Sequence, residues 1–188
     1  KRSYPLCGNI LFTGLVRNSD VLLLSWFVPI QEIGLFAIAK KITSSFNFLP
    51  VETVNFFYHK IGKKNSNQIK KISSLGSLII LLAIICSIFL LISSHFMINT
   101  LYGTDFSKSA NILNIFAVFM PFSFWYAYRK KFIVIHDKEK IVFLYSVVTA
   151  LALLLCSTIL GPKFGGVGIA YASGLSFVIS TIFAPFLF

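Results

Sequence analysis

The chain has 188 residues, 56% of them hydrophobic and only 12% charged, against roughly 25% charged in an ordinary soluble domain. A mean hydropathy of +0.83 and 21 phenylalanines exclude a soluble globular domain. Lys and Arg number 17 against six Asp and Glu, a balance of +11, and in so apolar a chain the matching partner is membrane lipid, not nucleic acid. Cys7, Cys86 and Cys156 lie far apart in apolar runs, without the spacing that a metal site or a disulfide framework needs. Nothing in the sequence requires a metal or a cofactor. The chain opens on Lys1 and its methionines are Met97 and Met120, so it reads as a fragment or a processed product.

A hydrocarbon core about 30 Å thick needs roughly 20 apolar residues in helix. Six stretches qualify, at about 6–29, 34–57, 75–98, 110–128, 141–160 and 167–187. No period-two alternation suggests strands, and backbone polar groups in lipid must pair within their own segment. The prediction is an all-α integral membrane fold with six transmembrane helices. The first two runs carry charges, whereas the third, LIILLAIICSIFLLI, is apolar all round and faces lipid along much of its girth. Pro50 and Pro121 fall inside runs and predict kinks. Gly166, Ala170 and Gly174 give the last helix a small face for close packing.

The connecting segments set the orientation. Lys1, Arg2, Lys60, Lys63, Lys64, Lys70, Lys71, Arg129, Lys130, Lys131, Lys138 and Lys140 fall on one side. The opposite turns, VPIQEIG, LYGTDFSKS and GPKFGG, hold only Lys108 and Lys163 as basic residues. The positive-inside rule then puts both termini in the cytoplasm, with the basic loops near anionic headgroups.

Arg17, Asp20, Lys40, Lys41 and Glu52 lie within the first two runs, where a charge at a helix centre costs about 2.5 to 3.5 kcal/mol. Such residues face protein or water. At 100° per residue Asn9, Thr13, Arg17 and Asp20 form one polar stripe, and Lys41, Ser44, Ser45, Glu52, Asn55 and His59 form a second. Two such stripes on neighbouring helices predict a wetted cavity. With the helices antiparallel, Asp20 pairs with Lys41 or is shared between Arg17 and Lys41. The excess of positive charge then favours an anionic ligand. A structural reading stands beside this one: an internal Arg17–Asp20 salt bridge, Lys40 snorkelling to the headgroups and Glu52 solvated at the cytoplasmic boundary. His136 and Asp137 have no nucleophile or second acid nearby, and no phosphate-binding glycine loop or HExxH motif is present, so the chain does not read as an enzyme.

Three motifs carry a family resemblance. RNSDVLLLSWFVPIQEIGLFAIAKKITSSFNFLP (Arg17 to Pro50), LYGTDFSKSANILNIF (Leu101 to Phe116) and GPKFGGVGIAYASG (Gly161 to Gly174) resemble, in order, the carboxy-terminal lobe of the O-antigen repeat-unit flippases of the multidrug/oligosaccharidyl-lipid/polysaccharide exporter superfamily. The resemblance implies one six-helix lobe of a twelve-helix transporter, with the amino-terminal lobe missing from this chain. It implies a polyprenyl-diphosphate-linked oligosaccharide as cargo, moved across a bacterial inner membrane to the periplasmic leaflet for surface polysaccharide assembly. By the same resemblance Arg17, Lys40 and Lys41 receive the diphosphate, while Asp20 and Glu52 serve coupling or orientation. A cation-coupled drug exporter of the same superfamily and a non-transporting scaffold subunit are the alternatives.

Overall fold

A computed structural model describes residues 19–61, 66–135 and 139–183. The described residues contain helices and turns and no strand, as expected where every backbone group must be satisfied locally. The chain is helical over 19–24, turns at 25–29, and continues as α1 (Ile30–Phe46), α2 (Leu49–Ile61) and α3 (Ser66–Tyr102). A 3-10 turn at Thr104–Phe106 leads into α4 (Ser109–Ile135) and α5 (Glu139–Phe183). Among the described residues three stretches are long and apolar enough to cross a membrane: Leu75–Tyr102, Ser109–Val134 and Lys140–Phe183.

The last of these cannot be one straight crossing. At 1.5 Å per residue, its 44 residues would extend about 66 Å, roughly twice the hydrocarbon thickness. Gly165 interrupts it with φ 55° and ψ −132°, a left-handed conformation that glycine adopts without a Cβ penalty. Beyond it the chain runs back: Thr149 and Ser180 share a hydrogen bond at 2.8 Å, and they lie almost equally far from Gly165 on either side. α5 is therefore an antiparallel hairpin with arms 139–164 and 166–183. The helix expected to end at 160 runs on through Pro162 to this turn.

The stretch expected to form one helix over 34–57 is two. α1 starts four residues earlier, directly after Pro29, and ends at Phe46. Pro50 is the second residue of α2, a first-turn position where the missing N–H has no intrahelical partner to lose. It therefore marks the start of a helix and not a kink within one. Pro121, by contrast, lies inside α4, which continues through it.

The centre of the molecule is packed by side chains from all these elements, among them Leu24, Phe36, Ala39, Ile79, Leu90, Leu113, Met120, Phe124 and Ile169, all fully buried. Phe36 meets Phe116 edge to face at 5.5 Å. Small residues permit close approach, as the glycine spacing predicts: a Cβ on Gly174 would collide with the Phe119 ring. The outer faces of α3 and α5 are the reverse of polar. Leu81, Ile85, Ile88, Ile92 and Phe96 on α3, with Leu151, Leu155 and Ile159 on α5, are exposed, as a surface in contact with lipid tails requires.

The hairpin turn generates a stability prediction. Gly165→Ala places a Cβ at a positive φ and 2.7 Å from Glu32 Oε2, and should destabilise the purified protein by about 1–3 kcal/mol. Gly34→Ala, inside α1 with nothing within 4 Å of the added carbon, should be neutral or stabilising by up to about 1 kcal/mol. Thermal unfolding in detergent checks both, and equal shifts would contradict the assignment of the turn.

Candidate substrate-facing site

Pro29 reverses the chain between the 19–24 helix and α1, so residues equally distant from residue 30 come face to face. Asp20 and Lys40 are such a pair. Lys40 Nζ donates to Asp20 Oδ1 in a salt bridge with side chains only 21% and 9% exposed. The same oxygen accepts the Val21 N–H at 2.9 Å. Lys40 lies ten residues into α1, about 15 Å down the helix, or half the thickness of a hydrocarbon core.

This corrects two expectations. The partner of Asp20 is Lys40 and not Lys41, and Lys40 is held inward instead of snorkelling. The cause is helix phase. Phe36, Ala39, Ile42 and Thr43 are buried against the core, and Lys40 lies at the edge of that buried arc. Lys41 lies about 100° further round and is exposed. The earlier start of α1 also puts Lys40 deeper than a helix beginning at Gly34 would. Arg17, with Asn9 and Thr13 of its stripe, lies outside the described residues.

Lys41 belongs to a different surface. Ala37, Lys41, Ser45, Phe48, Glu52 and Phe56 are all exposed at intervals of three or four residues, forming one face that crosses from α1 to α2. Asn55 Nδ2 donates to Glu52 Oε2 at 3.4 Å beside it. A lysine and a glutamate here contrast with the predominantly apolar faces of α3 and α5, whose exposed polar residues include His95 and Asn99 near the end of α3 and Thr158 and Lys163 near the hairpin turn. Bare exposure to hydrocarbon would cost Lys41 about 2.5–3.5 kcal/mol near the helix centre.

The three turns assigned by charge to the side opposite the basic loops come together in space. Glu32, Lys108, Asn111, Ile112, Phe164 and Gly166 line a pocket of about 500 Å³, and the Gly166 N–H points to Glu32 Oε2 at a long 3.5 Å. At the other end Arg129 stands 6.0 Å from the Trp125 ring and Lys130 5.9 Å from the Tyr126 ring, placing cations over aromatics as at a membrane interface. Asn47 and Ser123, whose side chains meet at 3.3 Å, were not singled out by the sequence reading. The local signal was an Asn three residues before Pro50, in NFLP.

Residues 59–188 match the lipid II flippase MurJ family, well over half of the chain. The chain belongs to this family. Its description is that of a flippase, a transporter and not an enzyme. The fold agrees with that of a solved lipid II flippase MurJ in an inward closed conformation, with a TM-score of 0.74 over 97% of this chain at 18% identity. The chain spans 41% of the length of that protein. A comparison with curated proteins finds no match. The resemblance read from the sequence is thereby upheld at the level of a lipid-linked flippase and a multi-pass membrane protein. The match is to the lipid II branch and does not reach the O-antigen assignment.

Breaking the ion pair tests its geometry. Lys40→Ala leaves Asp20 buried without its cation and should cost about 3–5 kcal/mol, whereas Asp20→Asn with Lys40→Met should recover most of the loss. Lys41→Ala should add independently to Asp20→Asn. Denaturant unfolding of the single variants Asp20→Asn, Lys40→Met and Lys41→Ala and of the doubles Asp20→Asn/Lys40→Met and Asp20→Asn/Lys41→Ala measures both cycles, and additivity of Asp20 with Lys40 would show that they do not share a bond.

Proposed function

We propose that this chain is one six-helix lobe of a transporter that carries a polyprenyl-diphosphate-linked saccharide from the cytoplasmic to the outer leaflet of a bacterial inner membrane. The observation that carries the proposal is the α1–α2 face: Lys41, Ser45 and Glu52 are exposed along it, beside a largely buried Asp20–Lys40 pair, whereas the exposed faces of α3 and α5 are predominantly apolar. A second lobe closes over that face in the whole transporter and encloses a polar cavity. The helices before α1 and over α1–α2 supply the first two of six crossings, α3 and α4 the next two, and the arms of α5 the last two, with both termini on the cytoplasmic side.

Within the cavity Lys41 receives the diphosphate together with Arg17, which lies outside the described residues. Lys40 contributes once Asp20 releases it, so Asp20 orients the cation when the cavity is empty, while Glu52 acts nearer the cytoplasmic end. A dianionic headgroup offers several charged acceptors, and each charge-assisted hydrogen bond is worth about 1.5–3 kcal/mol. The family match favours a lipid II-type precursor as cargo. The O-antigen repeat unit is the second reading, favoured by Arg17 to Pro50, a segment that lies ahead of the matched residues. Diphosphate recognition is common to both.

Lys41→Ala in the full transporter is the direct test. Because Lys41 is exposed, stability should change by no more than about 0.5 kcal/mol, while translocation of lipid-linked precursor in reconstituted vesicles should fall about 10- to 100-fold, the loss of one charge-assisted contact. Unchanged translocation at normal protein level would favour a scaffold role. Offering lipid II and a lipid-linked repeat unit in the same vesicles tells the two cargoes apart.

A further inference from the structure

Two interruptions of the helical ladder meet inside the lobe. The first is the α1–α2 break, capped by Asn47, whose backbone N–H donates to the carbonyls of Thr43 and Ser44 at 3.3 and 3.2 Å. The second is in α4. Pro121 brings no N–H, so the carbonyl of Ala117 four residues earlier loses its helical partner. Ser87 of α3 replaces it, donating its hydroxyl to the Ala117 carbonyl at 2.6 Å.

Ser123, two residues past the proline, ties the interruptions together. Its hydroxyl has one proton and two acceptors in range, the Met120 carbonyl at 2.9 Å and Asn47 Oδ1 at 3.3 Å. A hydroxyl that shifts between a carbonyl of its own helix and an amide of the neighbouring one lets two helices change their angle without leaving a polar group bare in hydrocarbon.

We propose that the α1–α2 break and the proline step of α4 form a single joint, with Ser123 and Asn47 as the positioning residues that make the two segments bend together. The joint divides the exposed polar face: Lys41 and Ser45 lie before it, Glu52 and Phe56 after it. A change of angle there alters the spacing between the basic and acidic parts of the cavity wall. The use of the joint in transport rests on the functional reading above, but the coupling of the two segments does not.

Hydrogen exchange read by mass spectrometry, on the full transporter in lipid nanodiscs, tests it. Ser123→Ala should raise exchange about three- to tenfold, the equilibrium effect of one lost hydrogen bond, in 47–52 as well as in 117–124. Asn47→Ala should do the same in both windows, and Ser123→Thr, which keeps the hydroxyl, should restore the original rates. Ser173→Ala, which removes a hydrogen bond within the second arm of α5, should change neither window. Effects confined to the substituted segment, or a uniform rise that includes α5, would overturn the joint. Absence of precursor translocation by the unsubstituted protein would instead overturn the transport reading and leave the exchange result to stand.

Discussion

Hydrocarbon supplies no hydrogen-bond partners, so every interruption of a helix within the membrane must be answered by another part of the same protein. The interruptions of this lobe follow that rule. The carbonyl freed by Pro121 receives the Ser87 hydroxyl, and the break after Phe46 is closed by the Asn47 N–H and touched by Ser123. The partners come from α3 and α4, so the constraint that forces local pairing also stitches the bundle across its helices. Small residues complete the arrangement where ring and backbone meet, as Phe119 does at Gly174.

The same absence of water makes polarity on an outer face informative. On a soluble protein an exposed lysine needs no explanation. Beside the bare aliphatic surfaces of α3 and α5, the face that carries Lys41, Ser45 and Glu52 is set apart by chemistry. The Asp20–Lys40 pair lies behind it, with each charge compensated by the other. Removing one partner would leave a buried charge, which is why such a pair can hold a cation ready without exposing it to lipid. In the transport cycle proposed above, a diphosphate competing with Asp20 would supply the replacement charge that lets Lys40 turn outward.

The long apolar runs were legible because hydrocarbon thickness fixes a minimum length, and the third and fourth runs reappear as α3 and α4. Their ends were not. Both helices extend past the apolar limits, to Ser66 and Ile135, because polar and basic residues continue a helix into the headgroup region without any change in backbone geometry. The hairpin was visible in GPKFGG, although Gly165 alone makes the turn. Pro50 misled because a proline inside an apolar run and a proline in the first turn of a new helix look the same in sequence. Lys40 and Lys41 were confused for a related reason: adjacent lysines differ by 100° around the helix, and only packing decides which one faces Asp20.

In the proposed transporter the α1–α2 face lines a watery cavity while the faces of α3 and α5 meet lipid. Cysteines placed one at a time at Lys41, Ser45 and Glu52, and at Leu81, Ile85 and Leu155, in a full-length transporter otherwise free of cysteine, can be offered a water-soluble maleimide in membranes open to the reagent from both sides. The account predicts rapid labelling at the first three positions and protection at the last three. Equal protection at all six positions would contradict it.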